Sequence, residues 1–206
     1  MIYEILRSIK LSIFCLKFRR ANRHNRTFPK SNFPMNSVSV GNESYGPLNI
    51  IWMASKDVRV KIGHYCSIGP DVTFLVGGEH NYHRISTFPF QSYVYQEQTF
   101  GGQNRDIIVE DDVWIGYGTL VMSGVSIGKG SVIGARSIVA KDVPPYSIFV
   151  GNKVLKKRFP DDVIDKLLNQ VDYSKIKHSK GDSYQKYCQS NITIENIDEI
   201  YNEFVK

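Results

Sequence analysis

The sequence predicts a mainly β protein, a parallel β-helix with a long inserted loop and C-terminal helices. Three observations carry this: a six-residue repeat, an irregular stretch that interrupts it, and a change of period after it ends. Cut from Val109, the chain reads VEDDVW, IGYGTL, VMSGVS, IGKGSV, IGARSI, VAKDVP. The first positions, Val109, Ile115, Val121, Ile127, Ile133 and Val139, are all aliphatic. The fifth, Val113, Thr119, Val125, Ser131, Ser137 and Val143, are all β-branched or small. A helix repeats its apolar residues every three or four positions, whereas this period gives a short strand, a corner and another short strand. Three hexads close one coil, so residues 18 apart stack: Val109 under Ile127, Ile115 under Ile133, Val121 under Val139. Gly116, Gly128 and Gly134 follow three of the aliphatic positions, where a turning chain gains from the absence of Cβ.

In chain order, residues 1–36 form a basic N-terminal extension. Within its first 26 residues Arg7, Lys10, Lys17, Arg19, Arg20, Arg23 and Arg26 oppose Glu4 alone, so the formal net charge of +6 resides in those 26 residues and the rest of the chain is balanced. That distribution gives no reason to expect a nucleic-acid partner for the body. The arm, MIYEILRSIKLSIFCLKFRR, is broken by charge too early to span a membrane and has no cleavage site of the secretory kind. A cytoplasmic location is expected. Two readings of the arm stay open: a helix packed on its own protein or a neighbouring subunit, and a contact with the inner membrane surface through Ile5, Ile9, Ile13 and Phe14. Cys15, Cys66 and Cys188 are odd in number and widely spaced, which argues against a disulfide framework or a zinc knuckle.

Residues 37–152 form the β-helix domain. A shorter repeat, IGHYCS and IGPDVT, precedes the inserted loop 75–107, and the regular hexads follow it. A loop of that length leaving a rigid scaffold is more often functional than accidental. Residues 153–206 form a C-terminal helical segment: Pro160, Asp161 and Asp162 suit a helix start, with Val163, Ile164, Leu167, Leu168 and Val171 on one face. IENIDEIYNEFV predicts a second helix.

The segments KIGHYCSIGPDVTFLVGGEH, STFPF and VEDDVWIGYGTLVMSGVSIGKGSVIGARSIVAKDVPPYS resemble the hexapeptide-repeat acyltransferases of the left-handed β-helix fold. Within them the likeness is to the xenobiotic acetyltransferase branch, which includes streptogramin and type B chloramphenicol acetyltransferases and polysaccharide O-acetyltransferases. The period alone does not set the hand of the coil, and the general crossover rule would make it right-handed; left-handedness is what the resemblance implies. The resemblance also implies a homotrimer with active sites at subunit interfaces, acetyl-CoA as co-substrate and no metal. His80 takes the place of the family's general base, which accepts a proton from the acceptor hydroxyl in a direct transfer. Tyr117 and Ala135 fall on positions that contact the pantetheine arm, and Ala140 and Lys141 on positions near the adenosine end. Trp114 either flanks the thioester or packs in the trimer contact. Where the family continues GGNPAKVIKYRF, this chain has VGNKVLKKRF, two residues shorter, with Lys156 as the counterpart of a cofactor-facing cation.

The implied reaction is O-acetylation of a carbohydrate or lipid-linked glycan in bacterial surface-polysaccharide assembly, with acetylation of an antibiotic hydroxyl as the alternative. Two further classes are weighed against it. A zinc enzyme of the carbonic-anhydrase kind would have to draw ligands from His64, His80 and His83. An inert scaffold needs neither His80 nor STFPF. His83 competes with His80 for the base, Glu79 either orients an imidazole or faces water, and His64 is expected to decorate the coil surface.

Overall fold

A computed structural model describes residues 2–54, 57–97, 105–176 and 190–205; Cys188 lies outside them. The hexads form a three-faced solenoid. The first face carries β2 (Val38–Val40), β4 (Val60–Ile62), β7 (Ile107–Val109) and β10 (Ser126–Ile127), paired in parallel in that order. The second carries the start of β3 (Tyr45–Met53), β5 (Ser67–Ile68), β8 (Trp114–Ile115), β11 (Val132–Ile133) and β13 (Ser147–Val150). The third carries the end of β3, β6 (Thr73–Gly77), β9 (Leu120–Val121) and β12 (Ile138–Val139). Val109 pairs with Ile127, Ile115 with Ile133 and Val121 with Val139, the register that the period predicts.

Alternation explains why these short strands hold. Ile107, Ile115, Val121, Ile127, Ile133 and Val139 are fully buried along the axis. Each such side chain contributes roughly 1.5–3 kcal/mol by leaving water. The small fifth positions sit inside the corners, and their hydroxyls cap local carbonyls: Thr119 Oγ1 donates to Gly116 O at 2.8 Å and Ser137 Oγ to Gly134 O at 2.6 Å.

The corners turn where the sequence did not place them. Left-handed φ falls on the fourth hexad position, at Glu43, Tyr65, Asp71, Asp112, Gly118, Gly124, Gly130 and Arg136, and again at Tyr146, the fourth residue of a shifted frame that begins at Val143, which stacks on Ile127. Gly116, Gly128 and Gly134 do not take that conformation. Their reason is space: a Cβ on Gly116 would lie 2.6 Å from Ala135 N, and one on Gly128 2.5 Å from Pro145 N. The expectation that these glycines make the turns is therefore corrected; they let successive coils approach.

The margins of the coil also differ from the expected divisions. Within residues 1–36, α1 (Ile2–Ala21) packs Phe14 and Phe18 against Phe33, at ring centroid distances of 5.0 and 5.8 Å. β1 (Arg26–Pro29) then pairs in parallel with β3, so the extension supplies the solenoid's lowest strand. β6 runs on to Gly77 beside Met53, past the expected start of the loop at residue 75, and Ile107 is already strand. Beyond β13, a two-residue turn at Gly151 and Asn152 folds β14 (Lys153–Lys157) back antiparallel on it. Gly151 has φ +68°, which suits a tight hairpin. This hairpin is the structural form of the two-residue shortening, and it places a strand at the head of the 153–206 segment.

α3 (Asp161–Gln170) starts after Pro160 and buries Val163, Ile164 and Leu167; α4 (Ile197–Val205) packs Ile197 into the same cluster. A short helix, α2 (Phe90–Tyr93), lies in the inserted loop. Arg158 ties the C-terminal segment to the coil, with Nη1 donating to Asp112 Oδ2 at 3.4 Å and to Gly130 O.

Candidate active site

The loop begins where β6 runs straight past the corner that β9 and β12 turn. Its return is fixed to the coil at the corner between third and first faces, where Ser123 Oγ donates to Arg105 O at 3.1 Å. His80 stands exposed just beyond β6, with Nδ1 2.7 Å from Thr87 O. A carbonyl only accepts, so Nδ1 carries a hydrogen, and of the two neutral tautomers this contact selects the one whose unprotonated nitrogen is Nε2. Thr87 belongs to STFPF. The sequence marked that motif without revealing this role, because a backbone carbonyl leaves no residue-type signature. Within the motif, Phe88 packs edge-on against Phe90 at 4.9 Å, which holds the carbonyl's surroundings in place.

The other candidates near His80 separate from it. His83 stacks on Tyr82 at 4.4 Å, and its backbone N–H bonds Asn81 Oδ1. Glu79 neither bonds an imidazole nor faces water with both oxygens: Oε2 is shut from solvent and has no hydrogen-bond partner among the described residues. His64 is bonded into a different corner, its Nδ1 accepting from Asn42 N–H at 3.0 Å and its own N–H donating to Asp111 Oδ1 at 2.7 Å.

Trp114, Tyr117, Ala135 and Lys156 share the second face and its far corner. Trp114 pairs with Val132, Val132 with Ile148, and Ile148 with Lys156, making one outward row across four strands. At about 4.8 Å per strand the row spans some 14 Å. Trp114 is 56% exposed. At the adjoining corner, Arg136 N–H donates to Tyr117 O at 2.8 Å, which sets Ala135 directly above Tyr117, and the Arg136 guanidinium lies 5.0 Å over the Tyr117 ring. An exposed row that begins with an indole, passes aliphatic residues and ends among Lys153, Lys156 and Lys157 fits an extended apolar arm with a phosphate tail.

Ala140 and Lys141 lie elsewhere, exposed at the corner after β12 between third and first faces, the corner from which the loop also leaves. The candidates of one chain thus fall in two groups on two corners: His80 with Ala140 and Lys141, and Trp114 with Tyr117, Ala135 and Lys156. Among the described residues no hydrogen bond joins the two groups.

The architecture is a three-faced repeat coil whose inserted loop carries a histidine bonded to the backbone of the same loop. Residues 106–141 match the family described as bacterial transferase hexapeptide (six repeats). A chloramphenicol acetyltransferase of Klebsiella aerogenes is 39% identical over 144 residues, 65% of this chain and 68% of that one. A galactoside O-acetyltransferase of Lactococcus lactis is 30% identical over 151 residues, 73% of this chain and 62% of that one. A solved hexapeptide-repeat acetyltransferase of Vibrio cholerae, complexed with acetyl-coenzyme A, aligns at TM-score 0.51 and 26% identity over 76% of this chain and 89% of that one. The chain belongs to the hexapeptide-repeat acetyltransferases, and its coil is their left-handed parallel β-helix.

Proposed function

We propose that this chain is an acetyl-CoA-dependent O-acetyltransferase in which His80 is the general base and the acceptor is a hydroxyl of a surface glycan. The single observation that carries the mechanism is the bond from Nδ1 of His80 to Thr87 O, which leaves Nε2 as the basic nitrogen of the neutral ring. Acetyl-CoA supplies the acyl group as a thioester. Nε2 takes the hydroxyl proton as the acceptor oxygen forms its bond to the acyl carbon; the carbon–sulfur bond breaks, and the proton passes to the departing thiolate, giving the free thiol. Such base catalysis contributes about 10² to 10⁴ in rate.

The two groups support a homotrimer. A copy of the Trp114–Tyr117–Ala135–Lys156 corner set against the His80–Ala140–Lys141 corner of its neighbour completes one site per interface. The loop's uncovered apolar residues, Tyr82, Ile85, Phe88 and Tyr93, suit that contact. In this reading Tyr117 and Ala135 flank the pantetheine arm, Trp114 the thioester, and Lys141 and Lys156 the phosphates.

The second acceptor reading is an antibiotic hydroxyl, favoured by the 39% identity to a chloramphenicol acetyltransferase. The glycan reading has the galactoside relative on its side. The test is thiol release from acetyl-CoA, with mass detection of product, across glycan fragments, chloramphenicol and a streptogramin. An acetylated glycan upholds the first reading, and acetylated antibiotic alone replaces it with the second.

A further inference from the structure

We propose that α1 is an interfacial helix that docks the protein on an anionic lipid surface. The purpose assigned to that contact rests on the lipid-linked acceptor reading, but the contact itself is tested separately. α1 carries two apolar stripes, and only one has a partner. Phe14, Cys15 and Phe18 face the base of the coil: both phenylalanine rings meet Phe33, and Cys15 Sγ donates to Pro29 O at 3.2 Å. Ile2, Ile5, Leu6, Ile9, Ile13 and Leu16 are 74, 54, 52, 50, 48 and 65% exposed. At about 100° per residue they centre roughly 180° from the docked face. Residues 2–10 are exposed on every side of the helix. The 20-residue helix thus extends about 30 Å with its outer stripe uncovered.

Charge decides between occupants. Lys10 and Lys17 flank the outer stripe on one side and Arg20 lies at its C-terminal end. α1 carries five basic residues, Arg7, Lys10, Lys17, Arg19 and Arg20, against one acid, Glu4, and of these Arg19 is taken up by Asn22 O, Asn25 and Thr27 O. A second α1 laid against this one would bring cations to cations with only Glu4 to answer them, whereas anionic headgroups complement the flank while the stripe enters the acyl boundary. None of the described helices is long and apolar enough to cross a membrane, so the contact is parallel to the surface.

The test is co-sedimentation of the full chain with phosphatidylcholine vesicles, alone and with phosphatidylglycerol at about one lipid in three. Binding to the anionic vesicles, lost at about 0.5 M salt, is expected. Lys10→Gln with Lys17→Gln should weaken it about 30-fold. Ile9→Asp with Ile13→Asp should abolish it while leaving acetyl transfer to a soluble acceptor intact. That last readout separates this proposal from the assignment of function: a variant that transfers acetyl normally and still binds vesicles overturns the membrane contact alone. Failure of the unaltered protein to bind, or a fall in assembly mass of the isoleucine variant by light scattering, would likewise overturn it, the latter assigning the stripe to a second copy.

Discussion

Gly116→Ala isolates what holds the coils at their spacing. Gly116 has no left-handed φ to defend, so the substitution acts only through space. The new Cβ would lie 2.6 Å from Ala135 N, 2.8 Å from Ile133 O and 3.0 Å from Ala135 Cα, all backbone, where ordinary contact begins at 3.4 Å. The upper coil must therefore move away by about 0.6–0.8 Å, more than a close-packed interior absorbs freely. That stretches the bond from Gly116 N–H to Ile133 O, now 2.8 Å, and the neighbouring bond from Arg136 N–H to Tyr117 O, also 2.8 Å. Weakening two neutral hydrogen bonds costs about 1–2 kcal/mol. Overpacking adds about 1–3 kcal/mol, for a total near 3 kcal/mol. For a chain of this size that is a fall in Tm of about 6–12 °C by differential scanning calorimetry. Gly151→Ala is the control: its φ is +68° and nothing lies within 4 Å, so only backbone strain applies. Strain of about 1 kcal/mol lowers Tm by about 2–4 °C. Because Tyr117 and Ala135 straddle the strained contact, KM for acetyl-CoA should rise in the Gly116 variant alone. A Gly116→Ala protein that melts within about 2 °C of the parent, or above Gly151→Ala, refutes close approach as the glycine's role.

His80→Ala should lower kcat about 10²- to 10⁴-fold with KM for acetyl-CoA and Tm unchanged, since His80 is exposed and bonded only to Thr87 O; steady-state kinetics with calorimetry checks this. Arg158→Gln should destabilise the protein more as pH rises. Burial, partly offset by the Arg158 guanidinium, holds the Asp112 carboxyl above its ordinary range. The folded state then keeps a proton that the unfolded chain has lost, so stability falls as pH climbs through the interval above 3.8; removing the cation widens that interval, and urea melts at pH 5 and pH 8 measure the difference. Burial pushes the Cys66 thiol up to about 12. Iodoacetamide at pH 8 should leave it unlabelled in the folded protein and alkylate it in guanidinium, as read by peptide mass mapping.

The coil register was legible because a buried aliphatic every sixth residue has one stacking solution, and Val109, Ile115 and Val121 found their predicted partners. The corner conformation was not. Asp71, Asp112, Gly118, Gly124 and Gly130 hint at left-handed φ in the fourth position, but Tyr65, Arg136 and Tyr146 occupy the same position and mask the signal. Strand β1 was hidden in RTFP because a four-residue edge strand with a proline has no distinctive pattern, and its pairing with β3 is settled by tertiary context. At the site, side-chain identity pointed to His80. Its orienting partner is a carbonyl, which every residue carries, and the division of the candidates between two corners depends on how many hexads separate them rather than on any one of them.

The inserted loop leaves the stacking on either side of it undisturbed. Ile68 pairs with Ile115 across 47 positions as Ile115 pairs with Ile133 across 18. Closing so long an excursion costs little more than closing a short one, because the entropy grows only with the logarithm of length. Changes of length or sequence between Gly77 and Ile107 therefore leave the register of the coil intact. If the loop meets the acceptor as proposed, grafting a relative's loop between Gly77 and Ile107 should change acceptor preference on an unchanged frame.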